Sequence, residues 1–557
     1  MTPVWTFWKR ISPRKRRTWR EWLTAYAFLS PALLLIGLFG IWPVLFAVYV
    51  SLHKWRIRRG DFVGMTHYFK AVDVFGFFLF ALTGVAFLAA GVLLLRRYWW
   101  REHTGTARGW VLAPTWSWAA AAWALAGYGV AALPHVLDIA QKAVGKRPTV
   151  AMFRQWLWEA LTSPSVTPWF SAAVWLALVG LGVSLVLRHG RPQVFRQGGA
   201  ALAWSALGWW FLGIGLLTLA FSVAELLRWH QALMAEEASR NFLAQAFSIV
   251  AGAVALGLSW KLWKDAVDSD STRGFLGKAL AALLFMIGAW ILLMEVPPAI
   301  RAGDKDVWEG LLITTYYALG TVPFQLTIAL FLALLLYQNL PGKEVFRVIY
   351  FLPYVTPTVA SAAVFRLLFS PRPTAPVNTL LARLGLPAQR WLMEPRGIGQ
   401  LLGEALGLQV PSWLHGPSLA LVVIMIYSIW VFVGYDIVIY LAGLGNIPTE
   451  LKEAAAIDGA TGWQIFRHVT LPLLSPTIYF LSLIAVIGTF KAFNHIYVMR
   501  EAGAQGTVDT LSLVIFDEFF VKTRFGYASA LAFVLFAVIL SLTYINRKVQ
   551  ESWVFYQ

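Results

Sequence analysis

Apolar residues run in long stretches parted by short polar connections, at about 23–52, 75–95, 115–134, 169–187, 200–227, 242–261, 277–296, 308–337, 345–369, 417–441, 473–498 and 526–545. A helix needs roughly 20 apolar residues to cross about 30 Å of hydrocarbon, and these runs meet that length without the strict alternation of a barrel strand. The pattern predicts an all-α polytopic membrane protein of about twelve spans. Within 75–300 the runs read as three successive hairpins, each a span, a basic turn and a return span, with a weak likeness between the segments beginning at Val74, Pro168 and Phe242.

Three polar connections stand apart. Ser370 to Gly416 is the longest, and its TLLARLGL and IGQLLGEALGL pieces predict short amphipathic helices at the surface. Met499 to Phe525 is polar and contains glycines. Asn446 to Pro472, NIPTELKEAAAIDGATGWQIFRHVTLP, predicts two short helices joined by a turn. There Pro448 suits a first helical turn, Glu450 to Ile457 is helix-forming, Asp458-Gly459 has turn chemistry, and Pro472 opens the next apolar run.

Composition agrees with the pattern. The chain of 557 residues is 59% hydrophobic and only 13% charged, with a mean hydropathy of +0.63. The net charge of +18 would suggest nucleic acid in a soluble domain, but here Lys and Arg gather at the ends of apolar runs, where they act as topology signals and lipid anchors. No nucleic-acid partner is expected; membrane lipid is. Without cysteine there is no disulfide, thiolate metal site or cysteine nucleophile, and the histidines lack metal-site spacing.

Charge also sets orientation. Lys9, Arg10, Arg14, Lys15, Arg16, Arg17 and Arg20 precede a first run too long for a signal-peptide core, which predicts a retained span and a cytoplasmic N-terminus. Twelve spans then put Arg96, Arg97, Arg101, Arg188, Arg191, Lys261, Lys264, Lys343 and Arg347 inside, with Arg547-Lys548 and the C-terminus. Lys54, Arg56, Arg58 and Arg59 face outward against this bias.

Catalytic chemistry is hard to assemble. Gly145-Lys146, Gly277-Lys278 and Gly342-Lys343 lack the remaining P-loop residues, so ATP binding by that route is not expected of this chain. The acidic residues fall mostly in connections or at span ends, which leaves no convergent acid–base pair.

The pattern Glu453-Ala454-Ala455, Gly459, then Val469-x-Leu471-Pro472 resembles the EAA loop of ABC importer permeases, with Val in the place usually held by Ile. Extended over EAAAIDGATGWQIFRHVTLPLLSP, it is similar to the sugar-uptake branch, and within it to the larger maltose-type subunit. WEGLLITTYYALGTVPFQLTIALFLALLL, FRVIYFLPYVTPTVASAAVFRLLFSP, VGYDIVIYLAGLGNIPTELKEAA, TFKAFNHIYVM and GYASALAFVLF continue the likeness. It covers about 304–550 and the first span with the FVGMTHYF after it.

The resemblance implies a six-helix type-1 permease core into which about six further spans are inserted. The chain accordingly divides into 1–74, the N-terminus and first span; 75–303, the inserted hairpins; and 304–550, the core, with its coupling loop at 446–472. In this family the loop sits in a cleft of an ATPase subunit. Glu453, Ala454, Ala455 and Asp458 would form that contact, Gly459 would permit the turn, and Leu451, Ile457 and Phe466 would add apolar contact. Implied partners are a second permease subunit, two copies of an ABC ATPase that carry ATP and Mg, and an extracytoplasmic sugar-binding protein, at a bacterial inner membrane.

Polar residues inside spans mark a pathway. Tyr435 and Asp436 precede the loop, and Phe490, Lys491 and Asn494 lie in the penultimate span, where Lys491 and Asn494 share a face. Aromatic rings stack on apolar sugar faces while polar groups bind hydroxyls, so this set suits a carbohydrate. The family contacts sugar through the penultimate span's Phe and Asn positions. Lys491 and His495 depart from its more neutral pattern, which keeps glycerol phosphate or another small solute open as cargo. An ion-coupled secondary transporter using Asp436 is the alternative from another class.

Overall fold

A computed structural model describes residues 13–101, 108–147, 149–190, 199–235, 241–266, 272–338 and 341–550. The predicted basic positions Lys9, Arg10 and Arg191 lie outside them. The chain is nearly all helical, and among the described residues the only β pairing is two isolated bridges, His53 with Phe62 and Gly397 with Ser418. Eleven helices in these regions are long and apolar enough to cross a membrane, and a bent pair makes twelve if it is one span.

Two compact units form, one from Phe77–Ala246 and the other from Phe247–Gln557 with the chain up to Gly76. The spans and connecting helices, in order, are α1 (Thr24–Ser51), α2 (Thr66–Val72), α3 (Val74–Arg101), α4 (Arg108–Lys142), α5 (Val150–Leu161), α6 (Thr167–Gly190) and α7 (Gly199–Ala235). Then come α8 (Phe242–Ala266), α9 (Thr272–Ala302), α10 (Lys305–Tyr337), α11 (Lys343–Val355) and α12 (Thr358–Leu368). The remainder are α13 (Pro376–Arg383), α14 (Ile398–Ala405), α15 (Leu419–Gly445), α16 (Thr449–Ile457), α17 (Gly462–Phe490), α18 (Asn494–Met499), α19 (Leu511–Phe516) and α20 (Phe525–Gln550).

In the smaller unit the helices do not pair as successive hairpins. The middle spans α4 and α6 pack on each other, and the outer spans α3 and α7 meet through two glycine pairs. A methyl group on Gly91 would stand 2.8 Å from the Gly208 carbonyl oxygen, and one on Gly215 would stand 2.8 Å from that of Gly84. Lipid tails are as apolar as leucine, so close backbone approach at small residues, rather than sequence adjacency, selects the partner. Phe87 stacks on Phe211 beside this seam, with ring centroids 5.7 Å apart. In the larger unit α8 and α9 do form a consecutive pair, with Gly252 against Gly288.

The core of the larger unit surrounds α15, the most enclosed span. Apolar on every side, it packs against α10, α11 and α17, with Tyr427, Ile424, Ile437 and Tyr440 fully buried. The run at 345–369 is not one straight span. Pro357 holds Thr356 at ψ 138°, and α11 and α12 diverge by 94°.

The predicted surface helices of Ser370 to Gly416 form as α13 and α14. Asn378 organises this connection. Its amide donates to the carbonyls of Ser370, Arg372 and Gln389, and its oxygen accepts from Gln389 N and Trp391 Nε1. Buried Glu394 takes two bonds from the Arg396 guanidinium, which holds its carboxyl below the usual glutamate range. In the Met499–Phe525 connection, Arg500 bridges Asp509 and Asp517, and Thr314 Oγ1 accepts from Leu511 N at the start of α19.

Candidate functional site

Two breaks in helical structure build a cavity in the larger unit. The first is the bend at Thr356-Pro357, which turns Tyr354 and Thr358 toward α15. The second ends α17 at Phe490: Lys491 caps it at φ −96°, ψ 0°, and α18 begins three residues later. Lys491 and Asn494 therefore do not share a face of a continuous penultimate span. They flank a break, yet both line the same cavity of about 320 Å³.

Of the residues singled out in the sequence, Tyr435, Asp436, Lys491 and Asn494 line this cavity, while Phe490 is buried behind it and Phe493 lines it instead. The structure adds Tyr317, Thr321 and Gln325 from α10, Tyr354 and Phe432, and His495, set apart in the sequence with Lys491, lines the cavity too. Tyr354 stacks on Tyr435 with centroids 4.9 Å apart, and Phe493 meets Phe516 at 4.7 Å. Gln325 Nε2 donates to Asp436 Oδ2 at 2.6 Å, so the buried carboxylate has its own partner within the protein. The Tyr317 hydroxyl lies 2.6 Å from Ser428 Oγ and 2.8 Å from His495 Nε2, joining α10, α15 and α18. Gln325 is a polar residue within an apolar run, a signal the sequence carries; that Phe493 and not Phe490 faces the space follows from the helix break, which it does not.

The polar connection Asn446 to Pro472 has a different form from two separate short helices. α16 forms as expected, preceded by Pro448 at its N-cap. It ends in a Schellman turn: Ala460 N donates to Ala455 O, Gly459 N donates to Ala456 O, and Gly459 stands at φ +83°. Thr461 then opens a second helix with a reciprocal capping box to Gln464. That helix does not stop; it passes through a π turn at Phe466–Thr470 and becomes α17.

The surface of this connection is mixed. Glu453, Ala454 and Asp458 are exposed, Ala455 is half-buried, and Glu453 has no ion pair among the described residues. Ile457 is 86% exposed, Trp463 66% and Leu451 44%, whereas Phe466 is half-buried against Trp463. Trp463 is the apolar residue that the sequence reading missed. Lys452 Nζ lies 4.7 Å from the ring centroid of Tyr337, which ties α16 to the end of α10.

A chain of membrane helices with a central cavity and a capped polar turn between two core spans has the build of a transport component. Residues 325–553 match the family described as Binding-protein-dependent transport system inner membrane component. The chain is 33% identical over 259 residues to the Probable ABC transporter permease protein YesP of Bacillus subtilis, covering 46% of this chain and 76% of that one. It is 32% identical over 247 residues to the Lactose transport system permease protein LacF of Rhizobium radiobacter, across 44% and 76% of the two chains. Against the Trehalose/maltose transport system permease protein MalF of Thermococcus litoralis it is 29% identical over 245 residues, across 44% and 75%. The chain belongs to this family of ABC transporter permeases, with a six-span type-1 core and six further spans between α1 and α10.

Proposed function

We propose that this chain is the permease subunit of an ATP-driven importer of carbohydrates, that it lines one half of the pathway, and that separate subunits supply ATP hydrolysis. The observation that carries the reading is a continuity of helix. α17 starts at Gly462, just past the Gly459 turn, and ends at Phe490 beside Lys491, and α15, on the other side of the turn, carries Tyr435 and Asp436. A 29-residue helix is about 44 Å long, so a rigid movement imposed at the turn reaches the cavity wall directly.

The exposed Glu453, Leu451, Ile457 and Trp463 offer the docking surface for an ATPase subunit, with Gly459 and the Ala455–Ala460 contact fixing its shape. Two ATPase copies would hold ATP and Mg, and a second permease would complete the pore. The family description calls for an extracytoplasmic binding protein, which would meet α13, α14 and the Arg500 connection. This orientation puts both termini and Asn446 to Pro472 in the cytoplasm.

The stacked Tyr354–Tyr435 pair, Phe432 and Phe493 supply faces for a sugar ring, and Asn494, Lys491 and the Gln325–Asp436 pair supply hydrogen bonds. Relatives named for lactose and for trehalose and maltose support carbohydrate cargo. Lys491 on the wall favours a second reading, an anionic small solute such as a glycerol phosphate. Uptake by the reconstituted complex separates these classes: ATP-dependent entry of a di- or oligosaccharide supports the proposal, and entry driven by an ion gradient with the ATPase subunits removed contradicts it.

A further inference from the structure

We infer that α5, between α4 and α6, is an interfacial helix that lies in the membrane surface and binds anionic lipid headgroups. Its height is fixed by contacts to α4. Tyr128 Oη donates to the Leu161 carbonyl at 3.2 Å, and the His135 ring sits 2.9 Å from Ser165 Oγ and 3.2 Å from Ser163 Oγ. The apolar run of α4 ends at about residue 134, so the His135 contacts to Ser163 and Ser165, just past the end of α5, lie where hydrocarbon gives way to headgroups.

Its chemistry fits that level. Ala160 is buried and Trp156 and Leu157 half-buried against the unit, while Val150, Arg154 and Trp158 follow one another at four-residue spacing along an exposed row. Val150 is 77% and Trp158 70% exposed, an apolar area that water would not favour, with Arg154 between them. Glu159 is held by Lys142 at 3.9 Å and by Gln155. Lys146, Arg147 and Arg154 have no ion pair among the described residues, which leaves three free cations beside exposed Val150 and Trp158. Tryptophan at the headgroup level with unpaired arginine and lysine is the composition that binds the acyl boundary and lipid phosphate together.

The chain has no cysteine, so Trp158→Cys creates a single site for a nitroxide. With the full chain in a bilayer of phosphatidylglycerol and phosphatidylethanolamine, the label should collide with oxygen more than with an aqueous nickel chelate; a label at Asp458→Cys should show the reverse. Val150→Cys repeats the measurement if the tryptophan variant does not fold. The triple variant Lys146→Gln, Arg147→Gln, Arg154→Gln should lose about fivefold in phosphatidylglycerol preference over phosphatidylcholine for each cation removed. A label at 158 as open to nickel as the one at 458, a label shielded from both reagents by a protein partner, or an unchanged lipid preference overturns the inference.

Discussion

Gln325 on α10 and Asp436 on α15 meet at 2.6 Å in the wall of the cavity, the amide donating to the carboxylate, and both side chains are buried. The bond joins two spans that pack along their lengths. Gln325→Leu removes the donor and leaves a buried acceptor unpaired, an expected loss of about 1–3 kcal/mol. The double variant Gln325→Leu, Asp436→Leu should recover part of it. Thermal unfolding in detergent reads both, and a double variant less stable than the single one contradicts the pairing.

Gly459 at φ +83° closes the Schellman turn of the polar connection. Side chains other than glycine adopt this region at a cost of about 1–2 kcal/mol, so Gly459→Val should distort the turn locally. Sugar-stimulated ATP hydrolysis should fall several-fold while the protein still folds and inserts. Unchanged coupling with valine at this position would show that the turn's shape is not used.

Lys491 lines the cavity from the cap of α17. Lys491→Asn should weaken binding of anionic solutes by more than tenfold and of neutral saccharides by less, consistent with about 1.5–3 kcal/mol for a hydrogen bond to a charged group. A thermal-shift panel of neutral and acidic saccharides reads the difference. An identical panel for both proteins removes Lys491 from recognition.

Acid should loosen the surface connection around α13 and α14. Arg396 lowers the Glu394 carboxyl below its ordinary value of 4.5, so this ion pair stabilises the fold above that pH, and the contribution is lost as pH falls through the folded value. Protection of the amides from Glu394 to Ser418 against hydrogen exchange, taken relative to the unfolded-chain rate at each pH, should therefore fall on acidification below about pH 4.5 in the wild type and change less in Glu394→Gln. Equal pH dependence in the two proteins contradicts the assignment.

Much of this was legible in the sequence because hydrocarbon demands uninterrupted apolar length. The positions of the spans and the start of α16 follow from that demand and from helix chemistry at Pro448 and Gly459. What escaped depends on long-range packing. The pairing of α3 with α7 rests on Gly84, Gly91, Gly208 and Gly215, which look alike to any helix that has glycines of its own. The exchange of Phe490 for Phe493 in the cavity wall rests on a break at Lys491, within an apolar run whose one nearby helix-weakening residue, Gly488, does not fix where the helix stops. The bend at Thr356-Pro357 has a proline in the sequence, a signal that the reading of 345–369 as one run did not use.

Coupling through Glu453 is the centre of the account. The most direct measurement is co-purification and ATP hydrolysis of the full complex carrying Glu453→Lys, with sugar and binding protein present. Normal insertion of the variant, loss of the ATPase subunits on purification and a fall of at least tenfold in sugar-stimulated hydrolysis are the predicted result, since a reversed charge at a docking contact costs about 1.4 kcal/mol or more. An intact complex with undiminished stimulation would contradict it.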